Sequence, residues 1–239
     1  MRIKLKLSYV GDEFNGWQVQ PDKKTVQGEL NNAIKSLTGE DVVITGSGRT
    51  DTGVHAFCQV AHFDLTKNFD VKKIVSGLNF YLPTSIRILE ATEVDDNFHA
   101  RFSAKSKTYL YVFSLTNNAL FHNKVLFRDD LDYERMADCC GSLKGKHDFS
   151  SFMSSGSDTK TTVRHIYSIE LKKYADFWIF SITADGFLYN MVRKIVGTLI
   201  KVGEGKLTWV DVLQIVHKHD GTLTPVAPAH ALYLTNIEY

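Results

Sequence analysis

The sequence predicts an α+β protein built as two tandem ferredoxin-like halves, each β-α-β-β-α-β in outline. Their strands are expected to share one mixed, largely antiparallel sheet with helices on one face and a central cleft. Three observations predict this. Strand-like alternation and helix-like apolar spacing succeed one another in that order over residues 1–104. From Lys105 the same order starts again, and no Pro/Gly/Ser-rich linker near Ala104 separates the copies. The halves are therefore expected at 1–104 and 105–239, packed together.

Taken in order, Ile3 to Tyr9 alternates as a strand, and Thr25 is placed to cap a helix whose Leu30, Ala33, Ile34 and Leu37 share one face before Gly39. Val42 to Thr45 is a short β-branched run, Gly46-Ser47-Gly48 breaks it, and Val54 to Leu65 resumes as a long strand. Asp70 caps a second helix carrying Val71, Ile74, Val75 and Leu78, Pro83 closes the connection, and Ile86 to Val94 reads as a strand. In the second half a strand is expected at Thr108 to Leu115 and a helix around Tyr133, Met136, Ala137 and Cys140. Strands follow near Arg164 to Leu171 and Phe177 to Thr183. Leu188, Met191, Val192, Ile195, Val196, Leu199 and Ile200 mark a strong helix, Trp209 to His217 a shorter one, and Tyr233 to Tyr239 the last strand.

Composition narrows the function classes. At 239 residues and 44% hydrophobic content the chain can bury a substantial core. No apolar run approaches the roughly 20 residues of a membrane span, and the N-terminus alternates charge with aliphatic residues, so neither secretion nor membrane insertion is expected. Cys58, Cys139 and Cys140 make an odd set without zinc-ligand spacing, which fits a reducing, cytoplasmic setting and neither a disulfide framework nor a metal site. Net charge is only +1, so any nucleic-acid binding must come from local groups such as Lys105 and Lys107, Lys144 with Lys146 and His147, Lys160 with Arg164 and His165, or Arg193 with Lys194. Short groups of this kind are also ordinary solvated surface.

The stretch with chemical content is Gly46-Ser47-Gly48-Arg49-Thr50-Asp51-Thr52-Gly53-Val54-His55-Ala56. A phosphate cradle is excluded, because no lysine is present and a strand, not a helix, follows. A dinucleotide fingerprint fails for the same missing helix. What remains is a glycine-flanked turn presenting Arg49 and Asp51 together; an aspartate in such a turn also commonly caps backbone amides.

Taken whole, Gly-Arg-Thr-Asp-x-Gly-Val-His-Ala resembles the catalytic loop of the TruA family of bacterial tRNA pseudouridine synthases. Further segments resemble that family in order: Asn79-Phe80-Tyr81-Leu82-Pro83, Phe98 to Ala104 with Lys107 to Tyr111, Gly145 to Phe149, Phe187 to Arg193 with Gly197-Thr198-Leu199, and Ala227-Pro228 through Leu234. The departures are Thr52, where many relatives have alanine, and Ala231, where they often have glycine; neither removes a functional group.

The resemblance implies the pseudouridine synthase fold and an isomerase that needs no cofactor and no metal. The implied substrate is the anticodon arm of tRNA at uridines 38, 39 and 40, and the implied assembly is a homodimer in which one tRNA touches both subunits. Asp51 becomes the nucleophile, directed at C6 of the base or C1′ of the ribose. Arg193 would pair with Asp51 and keep it ionised, since desolvation favours the neutral carboxyl. Tyr109 would stack on the target uracil, with a possible part in proton transfer. Arg49 would occupy the space vacated by the everted nucleotide, and Leu232 would wall the uracil pocket. His55 is read as structural. A noncatalytic RNA-binding protein on ferredoxin-like units would not need the Asp51 loop with Arg193, and lacks the paired aromatic and glycine pattern of an RRM.

Overall fold

The structure, a computed structural model, describes residues 1–156, 159–218 and 221–239. In chain order its elements are β1 (Arg2–Tyr9), α1 (Val26–Thr38), β2 (Thr45–Gly46), β3 (His55–Asp64), α2 (Ile74–Tyr81) and β4 (Ile86–Val94). Then come β5 (Ser106–Ser114), β6 (Leu126–Phe127), α3 (Tyr133–Cys140), β7 (Gly145–Asp148), β8 (Val163–Tyr174), β9 (Phe177–Ala184), α4 (Met191–Gly203), α5 (Trp209–Lys218) and β10 (Leu232–Glu238). Two compact units result, Met1–Lys105 with Tyr233–Tyr239, and Ser106–Leu232. The fold is α+β, and the strand pairing is mixed and largely antiparallel.

In the first unit β1 lies between β3 and β4, antiparallel to both. Its alternation does the sorting: Ile3, Leu5 and Leu7 are fully buried while Lys4 and Lys6 face the other way. The C-terminal strand adds to this unit in parallel with β3, with Tyr233 opposite His55 and Leu234 opposite Ala56. Thr25 caps α1 through Gly28, and Gly39 ends it in the left-handed conformation, as the sequence predicts.

The second unit carries β5, β9, β8 and β7 in antiparallel succession, with β6 parallel to the end of β5. Trp178, Phe180, Ile182 and Ala184 bury one face of β9. Helix α4 is apolar on most of its circumference and packs against α3. A Cβ on Gly197 would lie 2.0 Å from the Pro225 carbonyl oxygen, and one on Gly203 2.6 Å from the Met136 sulfur, so both approaches depend on glycine.

Four local differences from the sequence reading have identifiable causes. Val42 to Ile44 is not a strand, because the Ile44 N–H donates to Asn31 Oδ1 and its carbonyl accepts from Gln27 Nε2, so side chains of α1 take the groups a ladder would need. Helix α4 starts at Met191, not Leu188, because Asn190 adopts a left-handed conformation at its N-terminus. The strands β6 and β7 were not anticipated; two residues show no periodicity, and Gly-Lys-His-Asp has no apolar alternation to read.

Candidate active site

The Asp51 loop is fixed by backbone contacts from distant sequence. Gly16, at φ +79°, comes so close that a Cβ there would lie 2.7 Å from the Thr50 carbonyl oxygen and 3.2 Å from the Asp51 carbonyl carbon. A Cβ on Gly11 would meet the Val54 carbonyl oxygen at 2.2 Å, and one on Gly46 the Trp17 ring at 2.6 Å. The Trp17 N–H donates to the Thr50 carbonyl at 3.0 Å, and the Val54 N–H closes the turn onto the Asp51 carbonyl at 3.1 Å, with Gly53 in the left-handed region.

Side chains complete the grip. Tyr9 and Thr50 share a buried hydroxyl hydrogen bond of 2.7 Å. Burial pushes the Tyr9 phenol up to about 12, so it stays neutral and the bond persists across ordinary pH. Fully buried Gln59 accepts from Ser47 Oγ at 2.7 Å and donates to the Gly48 carbonyl at 3.0 Å. The loop thus presents a half-buried Asp51 from a backbone that has little freedom to move.

Arg49 is exposed on the same loop, two positions away, and its Nε donates to Gln18 Oε1 at 3.1 Å. His55 is buried at the start of β3. Its Nδ1 accepts from the Gly11 N–H at 3.0 Å, its ring stacks on Tyr233 with centroids 4.8 Å apart, and Nε2 lies 3.7 Å from Asp12 Oδ1. These contacts tie Gly11 and the last strand to the loop's exit.

In the second unit, Tyr109 is buried on β5 with its ring edge-on to Phe187 at 5.2 Å. Arg193, in the first turn of α4, donates from Nε to the Ala227 carbonyl at 2.8 Å and from Nη1 to Asn190 Oδ1 at 3.0 Å. The Ala227 N–H returns a bond to the Arg193 carbonyl, locking the 225–227 segment onto the helix. Leu232 is buried at the start of β10. Lys194, a candidate for the basic stripe, instead donates to the Ser151 and Met153 carbonyls, and burial lowers its pKa. A cavity of about 290 Å³ lined by Thr116, Phe121, His122, Val125, Phe127 and His230 among others contains none of the predicted site residues.

The structure therefore brings Asp51 and Arg49 together on one loop of the first unit, and places Tyr109, Arg193 and Leu232 in the second. The supports Tyr9, Gly11, Gly16, Trp17, Gln18 and Gln59 were not identified from sequence. The one local signal for them was a glutamine in the middle of a mostly buried strand, at Gln59.

Comparison with known proteins bears on this loop. A family model described as tRNA pseudouridine synthase matches residues 7–103 and 140–239. The tRNA pseudouridine synthase A of Caldicellulosiruptor saccharolyticus is 42% identical over 245 residues, covering 99% of each chain. That of Halalkalibacterium halodurans is 43% identical over 97% of this chain and 90% of its own, and that of Acetivibrio thermocellus 42% identical over 99% of each. A solved structure described as a crystal structure of a Cbf5-Nop10-Gar1 complex aligns with 82% of this chain and 54% of that one at 11% identity and a TM-score of 0.33, too slight a likeness to carry an argument. With relatives at such identity matched nearly end to end, the chain belongs to the TruA family of tRNA pseudouridine synthases, the family its Asp51 loop resembles.

Proposed function

We propose that this chain converts uridine to pseudouridine in the anticodon arm of tRNA, at positions 38, 39 and 40, with Asp51 as its nucleophile. The reaction breaks the bond from ribose C1′ to uracil N1, turns the detached base and rejoins it through C5. Electrons balance without an external acceptor, so the work is nucleophilic attack, retention of the loose base and movement of the C5 proton. The observation that carries the reading is the way Gly11, Gly16 and Gln59 hold the backbone beneath Asp51, since a carboxylate that must approach C6 or C1′ needs a fixed origin.

The other roles are those the family resemblance implies. Arg193, oriented at two of its N–H groups by Ala227 and Asn190, keeps Asp51 ionised as substrate displaces water. Tyr109 stacks on the uracil, Leu232 walls its pocket, and Arg49 fills the gap left by the everted nucleotide. In this reading residues 1–104 and 105–239 are the ferredoxin-like halves of a pseudouridine synthase fold, with the last strand of the second half added to the first unit, and the protein acts as a cytoplasmic homodimer with one tRNA touching both subunits. Among the described residues no helix is long and apolar enough to cross a membrane.

The test is tritium release from tRNA labelled at uridine C5, with no additive. Release is expected from the wild-type chain. Asp51→Ala and the stricter Asp51→Asn are expected to abolish it while tRNA binding persists; turnover by either overturns the nucleophile assignment. Locating the trapped Asp51 ester on ribose or base separates attack at C1′ from attack at C6. Sedimentation with and without tRNA tests the dimer.

A further inference from the structure

Arg49 is exposed, on a long side chain that loses considerable rotamer freedom whenever it is ordered. Behind it runs a chain of amides rooted in the core. Arg49 Nε donates to Gln18 Oε1 at 3.1 Å, Gln18 Nε2 donates to Gln27 Oε1 at 2.7 Å, and buried Gln27 donates from Nε2 to the Ile44 carbonyl at 2.8 Å. Gln27 Oε1 also accepts from the Val19 N–H at 3.0 Å.

The polarity of this chain is fixed by its ends. The Ile44 carbonyl can only accept and the Val19 N–H can only donate, so the Gln27 amide has one possible orientation. Gln27 therefore offers its oxygen to Gln18, Gln18 must turn its NH₂ inward, and its own oxygen is left facing Arg49. The segment carrying Gln18 is held on both sides as well: the Trp17 N–H donates to Thr50 on the catalytic loop, and the Trp17 carbonyl accepts from the Gln27 N–H at the start of α1. An acceptor is thus delivered at a set position beside the loop, independently of Asp51's own supports.

The geometry points to Gln18 as a positioning residue for Arg49: the core-anchored amide relay from Ile44 through Gln27 and Gln18 holds the guanidinium in the orientation from which it enters the stem as the target nucleotide leaves. The inference rests on the reading of Arg49 as the residue that occupies the vacated space. It adds that Arg49 works from a pre-set rotamer, so part of the ordering cost is met before tRNA arrives. The relay acts only through Arg49 and touches no reacting atom.

A double-mutant cycle tests it, with single-turnover tritium release on two tRNAs, one with the target uridine paired in a stem and one with it in an unpaired loop. Gln18→Met keeps the side chain's length and removes both hydrogen bonds of the side-chain amide. It is expected to slow the paired substrate about tenfold and the unpaired one less, because only the paired base must be displaced from a partner. In an Arg49→Ala background the same change is expected to have no further effect. Gln18→Glu keeps an acceptor for Arg49 but sets a carboxylate oxygen against Gln27 Oε1, breaking the relay at its inner link, and is expected to be slow like Gln18→Met. Denaturation midpoints confirm that each variant is folded at the assay temperature. Equal losses in both backgrounds, no loss at all, or a Gln18→Glu as fast as the wild type overturns the positioning role. If Arg49→Ala itself turns over at the wild-type rate on the paired substrate, the eversion reading of Arg49 falls and takes this role with it. If Arg49→Ala is slow but Gln18→Met is not, the relay alone is wrong.

Discussion

Gly16→Ala perturbs the backbone beneath Asp51 while leaving every functional group in place. The new Cβ would sit 2.7 Å from the Thr50 carbonyl oxygen, about 0.7 Å inside ordinary contact, with the Asp51 carbonyl carbon and Thr52 nitrogen both at 3.2 Å. That oxygen cannot retreat freely, because it accepts from the Trp17 N–H and its residue is tied to Tyr9. The left-handed φ of +79° adds about 1–2 kcal/mol for any residue with a Cβ. With the overlap, a destabilisation of about 3 kcal/mol is expected. A displacement approaching 1 Å at the base of a nucleophile slows turnover by about 10- to 100-fold. The control is Gly39→Ala, which has nearly the same φ, +77°, and nothing within 4 Å of the new Cβ. It should cost about 1 kcal/mol and leave turnover unchanged. Chemical denaturation and single-turnover tritium release read both quantities. Equal turnover in the two variants, at the wild-type level, would refute the claim that close backbone approach at residue 16 positions Asp51.

Other expectations follow from separate contacts. Arg193→Ala is expected to lose turnover in the tritium-release assay, and unchanged turnover there would remove its pairing role with Asp51. Gln59→Leu removes the buried amide that bonds the Gly48 carbonyl and the Ser47 hydroxyl, and should cost about 2–3 kcal/mol in denaturation experiments together with slower turnover. Glu204 is held by Lys206, Lys201 and Arg128 at 2.8, 3.0 and 3.1 Å, which lowers its pKa from 4.5 to about 2. Because the folded value is the depressed one, the stabilisation is complete above about pH 4.5 and disappears as pH falls towards 2. Glu204→Gln should therefore lower stability by about 1 kcal/mol at pH 7, and the gap from wild type should close through that window. A gap of constant size from pH 7 to 2 would show that the network does not act through its charge.

Much of the fold was legible because it rests on local periodicity. The alternation of β1, the Thr25 and Gly39 ends of α1, and the span of β4 all follow from neighbouring residues, whose side chains decide which face is buried. The shortest strands were not legible in place: β6 and β7 exist only through partners elsewhere in the chain, and β2 lies at Thr45–Gly46, at the end of the run expected from Val42. The candidate site divides in the same way. Asp51 and Arg49 announce themselves in one contiguous motif with a specific family resemblance, whereas Tyr9, Gly11, Gly16, Trp17 and Gln18 support it from some 30 to 40 positions earlier and Gln59 from the strand that follows.

By itself, then, the sequence determined the chemistry on offer: a glycine-flanked aspartate and arginine on a strand connection, in a chain with two successive α/β patterns and a family signature running through both. Only the tertiary structure decided what holds that loop still. Gly11, Gly16 and Gly46 are needed because other backbone or a tryptophan ring occupies the space a Cβ would take, and Gln18 faces Arg49 because the buried Ile44 carbonyl and the Val19 N–H dictate which way two amides turn. Contacts between residues far apart in the chain leave no periodic trace in it, since each depends on the folded path of both partners.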